Sequence, residues 1–216
     1  MKIINSSQKV FYVLFFVFSI IFLTVASTNS YYQEGFSKSG NRFSSTVWNP
    51  GVVRITEVLY NPAGTDAGKE GIKIYNAGGQ AVNLSGYALD VSGVSSPYLF
   101  GDVSINPGKI IIIHKNSGTD SANQKYWPTT GLMPNDSGSI ALYKGLPKNS
   151  SNIIDFVQYG SGGGKGEAHA SGAGIWAAGE YVPIISTEGS SMALKNKNND
   201  TNKVGNWKEQ TMPTGF

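Results

Sequence analysis

The side chains that ordinarily titrate near neutrality are imidazoles, and this sequence holds two, His114 and His169, with no cysteine. A histidine works as a general base when a carboxylate orients it or a nucleophile lies within reach. His114 closes the run KIIIIHK at 109–115 and shares parity with Ile110 and Ile112, so it reads as a buried or strand-end ring bonded to backbone. His169 follows Glu167 by two residues in a glycine-rich stretch and reads as a surface-loop residue. The zinc-protease spacing His-Glu-x-x-His and the serine-hydrolase elbow Gly-x-Ser-x-Gly are both absent. Without cysteine there is no thiolate metal site, no disulfide framework and no thiol nucleophile.

Anion and cation binding have equally thin support. The run SGGGKGE at 161–167 offers backbone amides that could cradle a phosphate. A Walker loop, however, needs glycine where Tyr159 stands and serine or threonine where Gly166 stands, and no helix-forming run is evident after it. It reads as a loop between strands. Asp66, Glu70, Asp90, Asp136 and Asp155 are the oxygen donors for a calcium ion, but no EF-hand spacing gathers them, and they read as turn and strand-end residues. No cofactor is expected, and a weak calcium site is the one metal site left open. Glu57 shares parity with Val53, Ile55 and Leu59, which aims it at the apolar face unless a bulge intervenes. A carboxylate there needs a structural partner, whether backbone amides, Arg54, Lys73 or Lys144.

Binding chemistry has better support. Aromatics make up 12% of the chain, and Tyr and Trp supply large, stiff contact area suited to protein and glycan partners. Tyr87, Phe156 and Trp207 are candidates for the core. Tyr126 and Trp127, in an Asn/Lys/Pro-rich loop, and Trp176, just after the glycine-rich break, form the expected exposed patch. Asn83, Asn135, Asn149 and Asn199 each head an Asn-x-Ser/Thr sequon. Asn149 and Asn199 fall in loops and Asn83 in a strand, so the loop sites are expected to be modified first.

The elements that must position these groups are strands. Residues 52–91 hold three strand-like runs: Ile72 and Ile74 alternate with Lys73 and Tyr75, and a third run through Val82, Leu84, Gly86, Tyr87 and Leu89 carries a glycine in its middle. Asn61-Pro62-Ala63-Gly64 and Ala77-Gly78-Gly79 interrupt them with residues that end ladders and permit turns. The run at 109–115 is apolar on both parities and predicts a central strand. Residues 139–144 and 152–159 predict a hairpin around Gly145-Leu146-Pro147.

Within this stretch Ile55, Glu57, Val58, Asn61, Pro62, Glu70, Ile72, Asn76, Leu84, Ser85, Gly86, Tyr87 and Leu89 fall in an ordered series. Phe100, Pro107-Gly108, Asn135, Gly138, Ile140 and Ile154-Asp155-x-Val157-x-Tyr159-Gly160 continue it. This series resembles the lamin tail domain family, in the form found in exported prokaryotic proteins. The segment 189–194 with Trp207 resembles that type's last strand and closing tryptophan. One position departs: the residue after the Glu of the second strand is commonly aromatic or apolar, and here it is Gly71. The resemblance implies an all-β, immunoglobulin-like β-sandwich without enzymatic activity, serving as a binding or structural module. It also makes Glu57, Asn61, Pro62, Glu70, Asn76, Leu84, Ser85, Gly86 and Tyr87 structural positions.

The 216 residues accommodate one such domain, at 47–216, after a hydrophobic segment at 1–27 and a Ser/Asn/Gly-rich spacer at 28–46. Lys2 and Lys9 precede an uncharged apolar run at 10–26, whose length lies between a cleavable signal and a spanning anchor. Either reading places the domain outside the membrane, anchored by one N-terminal pass or secreted. Two of the three net positive charges reside on Lys2 and Lys9, and the remaining +1 gives no drive toward nucleic acid. The expected function is a cell-surface module for a protein or glycan. The alternatives are an accessory domain for an extracellular nuclease or hydrolase acting in trans, and a DNA-binding lamin tail.

Overall fold

The computed structural model describes residues 52–211, 213, 215 and 216. They belong to one compact unit, Trp48–Phe216. The segment expected at 1–27 and the spacer at 28–46 lie outside the described residues. Among the described residues no helix is long and apolar enough to cross a membrane.

The fold is nearly all β. The larger sheet contains β1 (Val53–Leu59), β2 (Gly71–Asn76), β7 (Ile110–His114), β8 (Gln124–Tyr126), β11 (Ser191–Leu194) and β12 (Trp207–Gln210), in the order β12-β11-β1-β2-β7-β8. All its pairings are antiparallel except the edge pair β7 and β8. The smaller sheet has the order β10-β9-β4-β5, from β4 (Ala88–Val91), β5 (Tyr98–Leu99), β9 (Gly138–Tyr143) and β10 (Ile153–Tyr159). A short ribbon pairs β3 (Val82–Asn83) with β6 (Ser104–Ile105). The core lies between the two main sheets, where Ile55, Val58, Ile72, Ile74, Ile111 and Ile113 meet Leu89, Ile140, Val157 and Tyr159. Tyr60 and Tyr159 stack across it at 3.9 Å. Tyr87, Phe156 and Trp207 are buried, as their positions predict.

The first strand is not the regular alternation read from its sequence. Ile55 pairs with Ile74 and Glu57 with Lys73, so Thr56 is an extra residue, a β-bulge. The bulge reverses the parity beyond it: Val53, Ile55, Val58 and Tyr60 reach the core, whereas Glu57 and Leu59 stay out of it. The third run is also not one strand. Tyr87 N–H donates to Leu84 O in a turn, with Gly86 at φ +80°, and the chain passes there from the small ribbon into the smaller sheet. The glycine serves a change of sheet, since only a residue without Cβ takes that φ freely.

The two sheets are covered unequally. Over β10, a helix α1 (Glu167–Gly172) and the segment that follows pack Ala170 and Trp176 against Phe156. The opposite face of the larger sheet keeps partly open positions at Ile110, His114, Gln124 and Tyr126.

Candidate functional site

That open face holds a cleft of about 630 Å³, walled by Leu59, Pro62, Lys69, His114, Asn116, Gln124, Tyr126 and Phe216. The sheet explains its shape. Gly71 pairs with Leu59 on one side and His114 on the other, and His114 pairs with Tyr126 across the parallel edge. Four adjacent strands therefore deliver neighbouring positions to one floor. The His114 and Tyr126 rings stack at 4.9 Å with 17° between planes. Gly118 lies against the Tyr126 ring, since a Cβ there would come within 2.6 Å of the ring Cγ. Tyr126 Oη donates to Gln124 Oε1 at 3.2 Å, and Lys69 Nζ donates to Ala63 O at 2.9 Å.

Burial holds the His114 imidazole below its usual value, against an interaction with the Gln124 side chain that favours the charged ring. Burial thus favours the neutral ring, and its buried Nε2 has no hydrogen-bond partner among the described residues. The cleft consequently offers stacking faces, amides and one ammonium. No Asp or Glu side chain is among its walls to orient the imidazole.

The remaining titratable groups serve the frame. Glu57 Oε2 accepts from Lys73 Nζ at 2.7 Å, one of the partners its position demands, and its Oε1 accepts from Ser191 Oγ at 2.6 Å. Glu70 accepts from Met133 N–H at 2.7 Å and faces Lys115 Nζ at 3.2 Å; burial pushes its carboxyl up to about 7, with Lys115 pulling the other way. Asp155 is wholly buried between the sheets, where Oδ2 accepts from Ile55 N–H at 2.5 Å and Oδ1 from Phe156 N–H at 2.8 Å. Burial pushes it up to about 8 despite those donors. Asp90 pairs with Lys148 and with Lys165, the latter at 2.6 Å. Among the described residues no three His, Cys, Asp or Glu side chains gather as metal ligands. Asp66, Glu70, Asp90, Asp136 and Asp155 are not brought together.

Two sequence expectations about the glycine-rich stretch are corrected here. A helix does follow it, α1, and His169 lies on that helix, with Nδ1 3.0 Å from Tyr143 Oη. The lysine of the stretch, Lys165, is held by Asp90 and by Val94 O at 3.1 Å. Glu167 accepts from Gly163 N–H, Gly179 N–H and Gln158 Nε2 at 2.6 to 2.7 Å, which holds its carboxyl below the ordinary range and ties the loop down. Periodicity could not reveal this, because the three donors come from separate segments.

The expected aromatic patch is corrected too. Trp127 is 8% exposed and Trp176 4%. Trp127 packs against Tyr98 at 5.9 Å, and Trp176 sits edge-on to Phe156 while its Nε1 donates to Glu180 O at 2.7 Å. Both tryptophans seal the core where loops cross it. Tyr126 alone of the three reaches the cleft. Phe216, which no pattern singled out, joins it there.

The family model for the Lamin Tail Domain matches residues 46–161, more than half of the chain. The chain belongs to the lamin tail domain family. No curated protein gives a significant match. The match ends just after β10, yet β11 pairs with β1 and β12 with β11, so the larger sheet of this lamin tail domain is completed by residues beyond it.

The family positions have structural duties. Asn76 is fully engaged: its Nδ2 donates to Gln80 O at 2.7 Å and Ile105 O at 2.8 Å, and its Oδ1 accepts from Gly78 N–H at 2.9 Å. Asn61 O accepts from Gly189 N–H, and the neighbouring Pro62 is buried. Leu84 is core, while Ser85 is exposed and its N–H donates to Asn83 Oδ1 at 2.7 Å. Of the sequon asparagines, Asn83, Asn135 and Asn199 are exposed and Asn149 is half-buried, its Nδ2 donating to Pro147 O at 3.1 Å. Strand Asn83 is therefore more open than loop Asn149.

Proposed function

We propose that this lamin tail domain is a non-catalytic, immunoglobulin-like binding module displayed outside the membrane, and that it holds a protein or glycan in the cleft beside Tyr126. The observation that carries the reading is the composition of that cleft. A stacked Tyr126–His114 pair, the amides of Asn116 and Gln124, and apolar Leu59 and Pro62 form one open surface. Such a mixture of aromatic faces and oriented amides suits recognition. Bond cleavage asks for a proton donor and acceptor set against each other, and no Asp or Glu side chain lines the cleft to pair with His114. The N-terminal lysines and the apolar run at 10–26 support export, by an anchor or a cleaved signal. The net charge of +1 outside that segment speaks against a nucleic-acid partner.

The test compares the full chain with Tyr126→Ala on a glycan array and on fractionated surface proteins of the host. Tyr126→Ala is expected to weaken retention at least about tenfold, the scale of one lost aromatic anchor. The same preparations go through nuclease and esterase screens. Hydrolysis abolished by His114→Ala or His169→Ala would sink the proposal and establish an enzyme.

A further inference from the structure

Within the cleft, one side chain is missing from the sheet and a ring from elsewhere stands in its place. Gly71 lies in the interior of the larger sheet, between Leu59 on β1 and His114 on β7. Its absent side chain leaves a slot on the outer face, floored by peptide. Phe216 fills it: a Cβ built on Gly71 would come within 2.8 Å of Phe216 Cε1 and closer still to Cδ1. Two residues along the same strand and on the same face, Lys73 Nζ stands 4.2 Å from the centre of the Phe216 ring. An ammonium over a ring face is attracted to the π cloud, and Glu57, 2.7 Å away, holds that ammonium in place. The slot thus has a flat peptide floor, an aliphatic wall, an imidazole wall and a fixed cation, the features that receive an aromatic ring.

We infer that the slot over Gly71 is a receptor for an aromatic side chain, and that Phe216 occupies it in cis, so a protein partner presenting phenylalanine or tyrosine must displace Phe216 to bind. This deepens the binding-module reading and rests on it, by choosing protein over glycan. A sugar ring has no π face for Lys73 to meet, whereas an aryl ring reproduces every contact that Phe216 makes. The cis ring acts as a competitor at high effective concentration, because its tether keeps it near the slot.

The experiment uses the full chain, wild type and Phe216→Ala, and a fluorescent peptide of sequence EQTMPTGF, amidated at its end so that only the side chain and backbone are presented. Fluorescence anisotropy is expected to show Phe216→Ala binding the peptide at least tenfold more tightly than wild type. The same peptide ending in alanine should not bind. In the Phe216→Ala background, Gly71→Ala and Gly71→Leu refill the slot in steps and should weaken binding in that order. Equal binding by wild type and Phe216→Ala, or binding by Phe216→Ala that Gly71→Leu leaves unchanged, would overturn the inference. A Phe216→Ala chain that keeps its cooperative unfolding transition but binds no peptide would show Phe216 to be a packing residue only, and would also overturn it. If the peptide fails while Tyr126→Ala still loses its glycan or surface-protein ligand, the slot falls and the binding module stands. If the peptide binds while Tyr126→Ala changes nothing, the slot is real and the ligand lies away from Tyr126.

Discussion

Asp155 is the residue at which burial and hydrogen bonding act most directly against each other. Its carboxylate accepts two backbone N–H groups, which favour the ionised form, and lies wholly between the sheets, which favours the protonated one. Burial prevails, as it does at Glu70. Both groups hold a proton more readily in the folded chain than in the unfolded one. Their contribution to stability is therefore complete below the ordinary carboxyl range and is lost as pH rises through about 7 for Glu70 and about 8 for Asp155. Urea unfolding midpoints should fall between pH 5 and pH 9, by a loss of at least about 1 kcal/mol. Asp155→Asn should remove the upper part of that slope and leave the part due to Glu70. A midpoint that rises with pH across this window would mean that the donors outweigh burial.

At the scale of elements, the bulge in β1 decides which side chains enter the core. Thr56 is skipped in the register with β2, and the parity change it introduces places both Ile55 and Val58 inward while Glu57 meets Lys73 on the outer face. Deleting Thr56 leaves Val53, Ile55, Val58 and Tyr60 in simple alternation. That variant should keep a cooperative thermal transition at a cost of roughly 1 to 3 kcal/mol. Deleting Val58 has the opposite effect: Leu59 moves inward, and Tyr60, which stacks on Tyr159, turns outward. Its cooperative transition should vanish. If both deletions behave alike, register is set elsewhere than at this bulge. The same strand explains the cleft, because the parity after the bulge is what puts Leu59 beside the Gly71 slot.

For the molecule as a whole, the strands of both main sheets find their partners within residues 53–210. A chain of residues 47–216 is expected to show β-type circular dichroism and a single cooperative melt without residues 1–46. Its failure to fold alone would mean that the preceding segment supplies part of the core. Much of this domain was legible in the linear order of residues: the alternation of Ile72 and Ile74, the ladder-ending Asn61-Pro62, the hairpin of β9 and β10, and the ordered series from Ile55 to Gly160 that marks the family. These signals are local, since strand period and turn chemistry depend on neighbours a few residues apart. The need of Glu57 for a partner was legible too, because a carboxylate near the core cannot stay unpaired. Which partner it took, and on which face, was not. A bulge exists only relative to the strand beside it, so Thr56 carries no mark of its own in sequence. The burial of Trp127 and Trp176 depended on which loops crossed the ends of the sandwich, and Tyr126 kept its access because β8 lies at an edge. The cleft and the ring of Phe216 over Gly71 were decided by tertiary structure alone, because they join positions distant in the chain whose meeting leaves no period, spacing or motif in the sequence.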